Sequence, residues 1–144
     1  LTVLLEKYQS MLTVMADGEL KPGAVTVFLS GGRPTDAVLN AEPKLAFLDG
    51  RPSDIGKQIP AEVMLVISDN YHNHLSWNGK GKMPEDQELK LGKLVSKVHA
   101  EGKKLRLWAS PDNPTAWETF RELGIDLINT DSPNKFAEFM RSQQ

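Results

Sequence analysis

Cysteine is absent from the 144 residues. That excludes a disulfide framework, a cysteine-ligated zinc site and a thiol nucleophile, while suiting an oxidising and a reducing compartment equally. Aromatic residues make up only 7% of the chain, and none is interleaved with a basic block, so the pattern of a nucleic-acid surface is missing. Neither charge sign dominates: 17 basic and 19 acidic residues give a net charge of -2 and are spread along the chain. No apolar run approaches the roughly 18 residues that cross a bilayer, so no membrane span is expected. The opening residues 1–8 (LTVLLEKY) have neither the basic start nor the small-residue cleavage site of a signal peptide.

What is there is ordinary for a globular chain: 40% hydrophobic and 25% charged residues, enough for a single domain over residues 1–144 with one core. Leu1, Leu4, Leu5, Tyr8, Met11 and Leu12 recur at helical spacing and predict a helix over residues 1–16, stopped by Asp17-Gly18. Residues 24–30 (AVTVFLS), 44–49 (KLAFLD) and 62–68 (EVMLVIS) read as strands buried on both faces. Thr35 is placed to cap a short helix over 36–40, and residues 50–60 read as a loop. A polar loop over 69–82 precedes a helix starting at Pro84, with Glu85, Asp86 and Glu88 at the positive end of its dipole and Gly102 as its stop. Residues 104–110 (KLRLWAS) predict a fourth strand. Asp112 or Asn113 with Pro114 opens a helix carrying Trp117, Phe120 and Leu123. Residues 125–130 (IDLINT) predict a fifth strand, and Ser132-Pro133 starts a last helix.

Strands separated by crossovers, several of them helical, make an α/β protein. Ser30-Gly31-Gly32-Arg33 has neither the dinucleotide nor the P-loop glycine spacing, which weakens an open nucleotide-binding sheet. Ser30, Asp49, Arg51, Ser68, Asp69, Trp108, Ser110, Asn129 and Asp131 instead all sit at the C-terminal ends of strands, where a (β/α)₈ barrel keeps its chemistry. Five strands do not close such a barrel. The expected fold is therefore the C-terminal part of a TIM (β/α)₈ barrel, incomplete in this chain, which is expected to begin inside a larger protein. No helical pattern links Asp49 to Glu62, which leaves open whether both flanking segments belong to the barrel wall.

Five segments in order resemble one family: residues 25–34 (VTVFLSGGRP), 47–54 (FLDGRPSD), 67–70 (ISDN) with Trp77-Asn78-Gly79, 105–112 (LRLWASPD) with Trp117, and 124–131 (GIDLINTD). Together they are similar to the second half of phosphodiesterases of the phosphatidylinositol-specific phospholipase C-like superfamily, which includes glycerophosphodiester phosphodiesterases. The resemblance implies a phosphoric diester hydrolase acting on a glycerophosphodiester or a phosphoinositide-like lipid head group. It also implies a divalent cation, calcium or magnesium, in the intact protein, and export from the cell. In that family two histidines and the acidic metal ligands lie on the first strands. No His-Arg-Gly, His-Asn-Asp or Glu-x-Asp stretch is present here. The chain is thus expected to supply pocket wall, with no catalytic residue, no metal ligand and no activity alone. The alternative is a non-enzymatic half-barrel that dimerises or pairs with a missing N-terminal half, because a half-barrel exposes sheet edges and apolar surface.

Arg51, Trp108, Asn129, Asp49 and Ser68 are the candidate substrate contacts. Arg51 either grips a phosphate through paired hydrogen bonds or pairs with Asp49 or Asp54. Arg106 and Trp108 share one strand face, which the resemblance places in the barrel interior. Asp131 reads as a cap for the helix at Ser132, Trp117 as packing, and Trp77 as an anchor for its loop. His72 and His74 suit either a shared zinc ion or a polar surface loop. His99 reads as a helix-end residue. Asp49 and Asp69 make a carboxylate pair for glycoside hydrolysis on position alone.

Overall fold

In the computed structural model, which describes residues 1–143, Asp17 and Gly18 both take left-handed backbone, with φ of 55° and 74°. Two consecutive left-handed residues make the hairpin turn whose twist matches paired strands. They join β1 (Val14–Ala16) to an antiparallel β2 (Glu19–Lys21). The helix expected over residues 1–16 is therefore shorter: α1 spans Thr2–Lys7, a 3₁₀ turn covers Gln9–Met11, and the chain is extended by Val14. The Asp-Gly pair acts as a hairpin turn rather than a helix stop. Gly23 lies so close to the preceding segment that a Cβ there would sit 2.2 Å from the Leu12 carbonyl oxygen. This approach lets the Gly23 N–H donate to Thr13 Oγ1 at 3.0 Å.

The chain divides into two compact units, Leu1–Ile67 and Ser68 onward. In the first, β3 (Phe28–Leu29) pairs in parallel with β4 (Phe47–Gly50), which pairs in parallel with β5 (Val66–Asn70) through Asp49 opposite Val66 and Gly50 opposite Ile67. Lying between two neighbours, β4 is buried at every residue. The segment 24–30 is not the doubly buried strand expected: only Phe28 and Leu29 are strand, and Val25 and Phe28 stay exposed because β3 is an edge. Helix α2 (Thr35–Asn40) starts at Thr35 itself, following Pro34, so Thr35 is not its cap. No helix separates β4 from β5, only a 3₁₀ turn at Pro52–Asp54 and further turns, yet the two strands pair directly.

The second unit carries α3 (Glu85–Ala100), β6 (Lys104–Trp108), α4 (Pro114–Glu122), β7 (Leu127–Ile128) and α5 (Pro133–Ser142). Leu91, Val95 and Val98, spaced i, i+4, i+7, form the buried stripe of α3. The helix stops before Gly102, whose φ is +69°. Asn113 caps α4 by accepting from the Ala116 N–H at 3.1 Å, and Pro114 fills the first helical position. Trp117 is the aromatic hub, with ring centroids of Phe136 and Phe139 at 5.2 and 5.5 Å. β6 runs parallel to β7, Arg106 opposite Leu127 and Leu107 opposite Ile128.

The first unit thus has the parallel order β3-β4-β5, and the second pairs β6 with β7 in parallel. No closed barrel is present among the described residues. Parallel strands with helical crossovers make the α/β arrangement expected of part of a TIM-like fold.

Candidate functional site

Strand geometry decides which side chains reach each strand end. In the first unit Asp49 lies on the buried β4 and Arg51 follows it. The Arg51 Nη1 donates to the Gly50 carbonyl at 2.8 Å and the Asp49 carbonyl at 3.2 Å, and pairs with Asp49 Oδ2 at 3.1 Å. Its Nη2 donates to Ser30 Oγ at 3.1 Å. Of the two uses left open for Arg51, the structure shows the pairing with Asp49. The guanidinium clamps the end of β4 and keeps a partly exposed side chain.

Asp54 gathers more partners. Arg33 and Lys57 both pair with its carboxylate, and the Arg51 backbone N–H donates to it at 2.9 Å. Burial works to raise its pKa, but the hydrogen bonds from Arg33, Lys57 and the Arg51 N–H outweigh it and hold the group at about 2. An anion so fully matched by cations is a structural staple.

In the second unit Ser68 is 1% exposed, and its Oγ has no hydrogen-bond partner among the described residues. Asp69 next to it meets His74 Nε2 at 2.9 Å through Oδ2, while its Oδ1 accepts from the Asn70 N–H at 2.8 Å and Asn73 Nδ2 at 3.0 Å. His72 does not join them; its ring stands edge-on to Tyr71 with centroids 5.3 Å apart. On β6, Leu105 and Leu107 are buried, and the opposite face carries Arg106 and Trp108, the latter 41% exposed. Trp108 is thus not core. Arg106 Nη2 donates to Asn129 Oδ1 at 2.7 Å.

Sequence reasoning missed the role of Asp112. It does not cap α4; it accepts from Trp117 Nε1 at 2.9 Å and from the Asp131 N–H at 2.9 Å, joining the loops after β6 and β7. Burial raises its pKa, and hydrogen bonds from Thr130, Asp131, Trp117 and Ser132 more than offset that, leaving it lowered. Asp131 correspondingly is not a cap: α5 has Ser132 before it and no side-chain cap. Trp77 is buried in its loop, donating from Nε1 to the Lys80 carbonyl at 3.1 Å. His99 bonds Asp126 at 2.8 Å through Nε2. Nothing in the spacing of these partners announces their contacts.

Among the described residues no three histidine, aspartate or glutamate side chains converge to hold a metal ion. Asp54 is matched by Arg33 and Lys57, and Asp69 by His74 and Asn73.

Residues 104–134 match the glycerophosphoryl diester phosphodiesterase family. No curated protein and no solved structure matches the chain. The matched stretch comprises β6, α4, β7 and the start of α5, so it contains Arg106, Trp108, Asp112 and Asn129. It points to phosphodiesterase activity at the level of the family, and it contains residues 105–112 and 124–131, two of the five segments that carry the resemblance. Divalent metal ions often serve glycerophosphoryl diester phosphodiesterases. The side chains described here do not make such a centre by themselves.

Proposed function

We propose that the chain supplies part of the substrate pocket of a phosphoric diester hydrolase whose substrate is a glycerophosphodiester or a phosphoinositide-like head group. The observation that carries this reading is the coincidence of the family match with the polar strand ends of the second unit. Trp108 offers an exposed aromatic face for the apolar edge of a head group. Asn129, held by Arg106, presents an amide to substrate hydroxyls, and Ser68 brings a hydroxyl with hydrogen-bonding capacity to spare. Taken by itself, the first unit offers Arg51 beside Asp49 at the end of β4, the guanidinium oriented by Ser30 and the β4 carbonyls, as a separate candidate contact. The acidic metal ligands and the two family histidines would come from segments of the protein other than these.

The test is hydrolysis of glycerophosphocholine and glycerophosphoinositol by the full-length protein with calcium or magnesium, followed by ³¹P NMR. Release of glycerol phosphate is expected, with Trp108→Ala and Asn129→Ala each raising KM several-fold. No release from either substrate would defeat the reading.

A second reading, a non-enzymatic half-barrel that associates with another copy, is favoured by the exposed apolar residues of the first unit. Leu1, Val3 and Leu4 are 72%, 80% and 56% exposed, and no residue of α1 is buried.

A further inference from the structure

Helix α3 has a second ordered face besides its buried stripe of Leu91, Val95 and Val98. Glu85, Leu89, Gly92 and Ser96 recur at i, i+4, i+7 and i+11, which lines them up along one side as in the seam of paired helices. Leu89 is 57% exposed on this face. Together with Leu123 at the end of α4, the face borders an open groove of about 750 Å³. Gly92 lies in the middle of this 16-residue helix, where glycine is a poor helix former. Packing within the chain does not demand it, since a Cβ there would meet nothing within 4 Å outside the helix's own backbone. What Gly92 leaves is a notch in the groove wall, beside an exposed leucine.

Charge along the helix is ordered too. Glu85, Asp86 and Glu88 occupy the first turn, and Lys97 and His99 the last. Lys93 lines the groove toward the basic end, while Lys82, ahead of the helix, offsets only part of the acidic end. Asp86 pairs with Lys90 at 3.7 Å, but among the described residues no ion pair takes up Glu85, Glu88, Lys93 or Lys97. A helix with the same charge order, laid antiparallel in the groove, meets opposite charge at both ends and opposes the dipole of α3. Laid parallel, it meets like charge at both. The helix that fits the antiparallel case and also brings a leucine for the notch is α3 itself.

We propose that α3 is a docking surface for a second copy of this chain, pairing antiparallel with the partner's α3 about a two-fold axis that passes between Lys90 and Leu91. In that register Leu89 enters the notch at the partner's Gly92, and symmetry places the partner's Leu89 at Gly92 here. Glu85 comes beside the partner's Lys97. The surface lies wholly within the second unit, so it stands apart from the exposed residues of α1 and from the hydrolase reading. One helix pair buries less than a standard interface, so the dimer is weak and forms at high protein concentration.

These 144 residues contain no cysteine, so one introduced on α3 reports the register directly. The full-length protein carrying Gly92→Cys is oxidised with copper phenanthroline, and the disulfide is located by peptide mass spectrometry. In the proposed pair the two copies of residue 92 lie about 4.5 Å apart along the helix axes, within reach of a disulfide, and the two copies of residue 96 about 16 Å apart. A disulfide between the two copies of residue 92 is expected to form at least about tenfold faster than one in the Ser96→Cys variant. With Gly92→Cys in place, Glu85→Lys and Lys97→Glu should each slow it several-fold, and the two together should restore it. Both residues are exposed, so neither change touches the core. Equal rates at 92 and 96, as random collision gives, would overturn the proposal. So would a double charge variant as slow as either single one, or the absence of the disulfide at 92, which would leave the groove to a different partner.

Discussion

Arg106 donates from Nη2 to Asn129 Oδ1 at 2.7 Å, and the register of the two strands explains why. Arg106 lies opposite Leu127 in the parallel pair β6–β7, and Asn129 is two residues further along the same face. Because one partner is charged, the bond contributes more than an ordinary amide contact, about 1.5–3 kcal/mol before solvent screening at this partly buried site. Asn129→Ala should therefore lower unfolding stability by about 1–2 kcal/mol. In a double-mutant cycle with Arg106→Met, urea denaturation should give a coupling energy of about 1 kcal/mol. Strict additivity of the two substitutions would mean the contact is not formed in solution.

Asp54 makes the first unit sensitive to acid. Its folded pKa of about 2 lies below the ordinary 3.8, so the folded state binds its proton less readily than the unfolded chain. The stabilisation is present in full above the unfolded value and is lost as pH falls from about 4 through about 2. The side chain is 5% exposed, so little of this is screened; the shift corresponds to about 2 kcal/mol. Asp54→Asn should lose about that amount at pH 7 and show a flatter stability profile between pH 5 and pH 2, as followed by circular dichroism. Parallel profiles for the variant and the wild type would contradict this.

The helical half of this architecture was legible because local chemistry decides it. Pro84 with three acids behind it, and Asn113 with Pro114, start helices where expected, and Leu91, Val95 and Val98 form the buried stripe of α3. The N-terminal region was not legible in the same way. The apolar spacing of residues 1–12 fits a helix, but the left-handed Asp17 and Gly18 turn the chain into a hairpin, and β3 is an edge that burial does not define. Candidate site residues were found at strand ends, since a strand's last polar residue is visible in the sequence. Their partners were not. Arg106 finds Asn129 through a strand register, and Asp69 finds His74 through a turn that sequence spacing reads only as polar loop.

The exposed apolar residues of the first unit predict association. Helix α1 has six residues and buries none of them, and a helix that short is marginal in water without a partner surface. Val3 and Leu4 are more than half exposed, and Phe28 adds an aromatic ring on the edge strand. Light scattering coupled to size exclusion should give a mass above the 16.0 kDa of one chain, rising with concentration. Replacing Val3 and Leu4 together by glutamate should shift the equilibrium toward single chains. A constant single-chain mass up to about 100 μM would count against the self-association reading.

Gly79 has no room for a side chain unless its neighbours move. Its φ is +80°, a conformation that costs an L-residue about 1 kcal/mol or more. A Cβ there would lie 2.5 Å from Asn113 Nδ2 and 2.7 Å from the Pro111 Cβ, so the loop before α3 and the loop before α4 would have to part. Asn113 is not a side chain with slack to give: its Oδ1 caps α4 through the Ala116 N–H, and losing a cap costs about 1 kcal/mol. Gly79→Ala should therefore destabilise by about 2 kcal/mol or more. The source of the cost can be separated, because Asn113→Ala removes both the cap and one of the clashing atoms. Asn113→Ala should cost less in the Gly79→Ala background than in the wild type, a sub-additive cycle measurable by urea denaturation. Were Gly79→Ala within about 0.5 kcal/mol of wild type, the close packing of these two loops would be wrong.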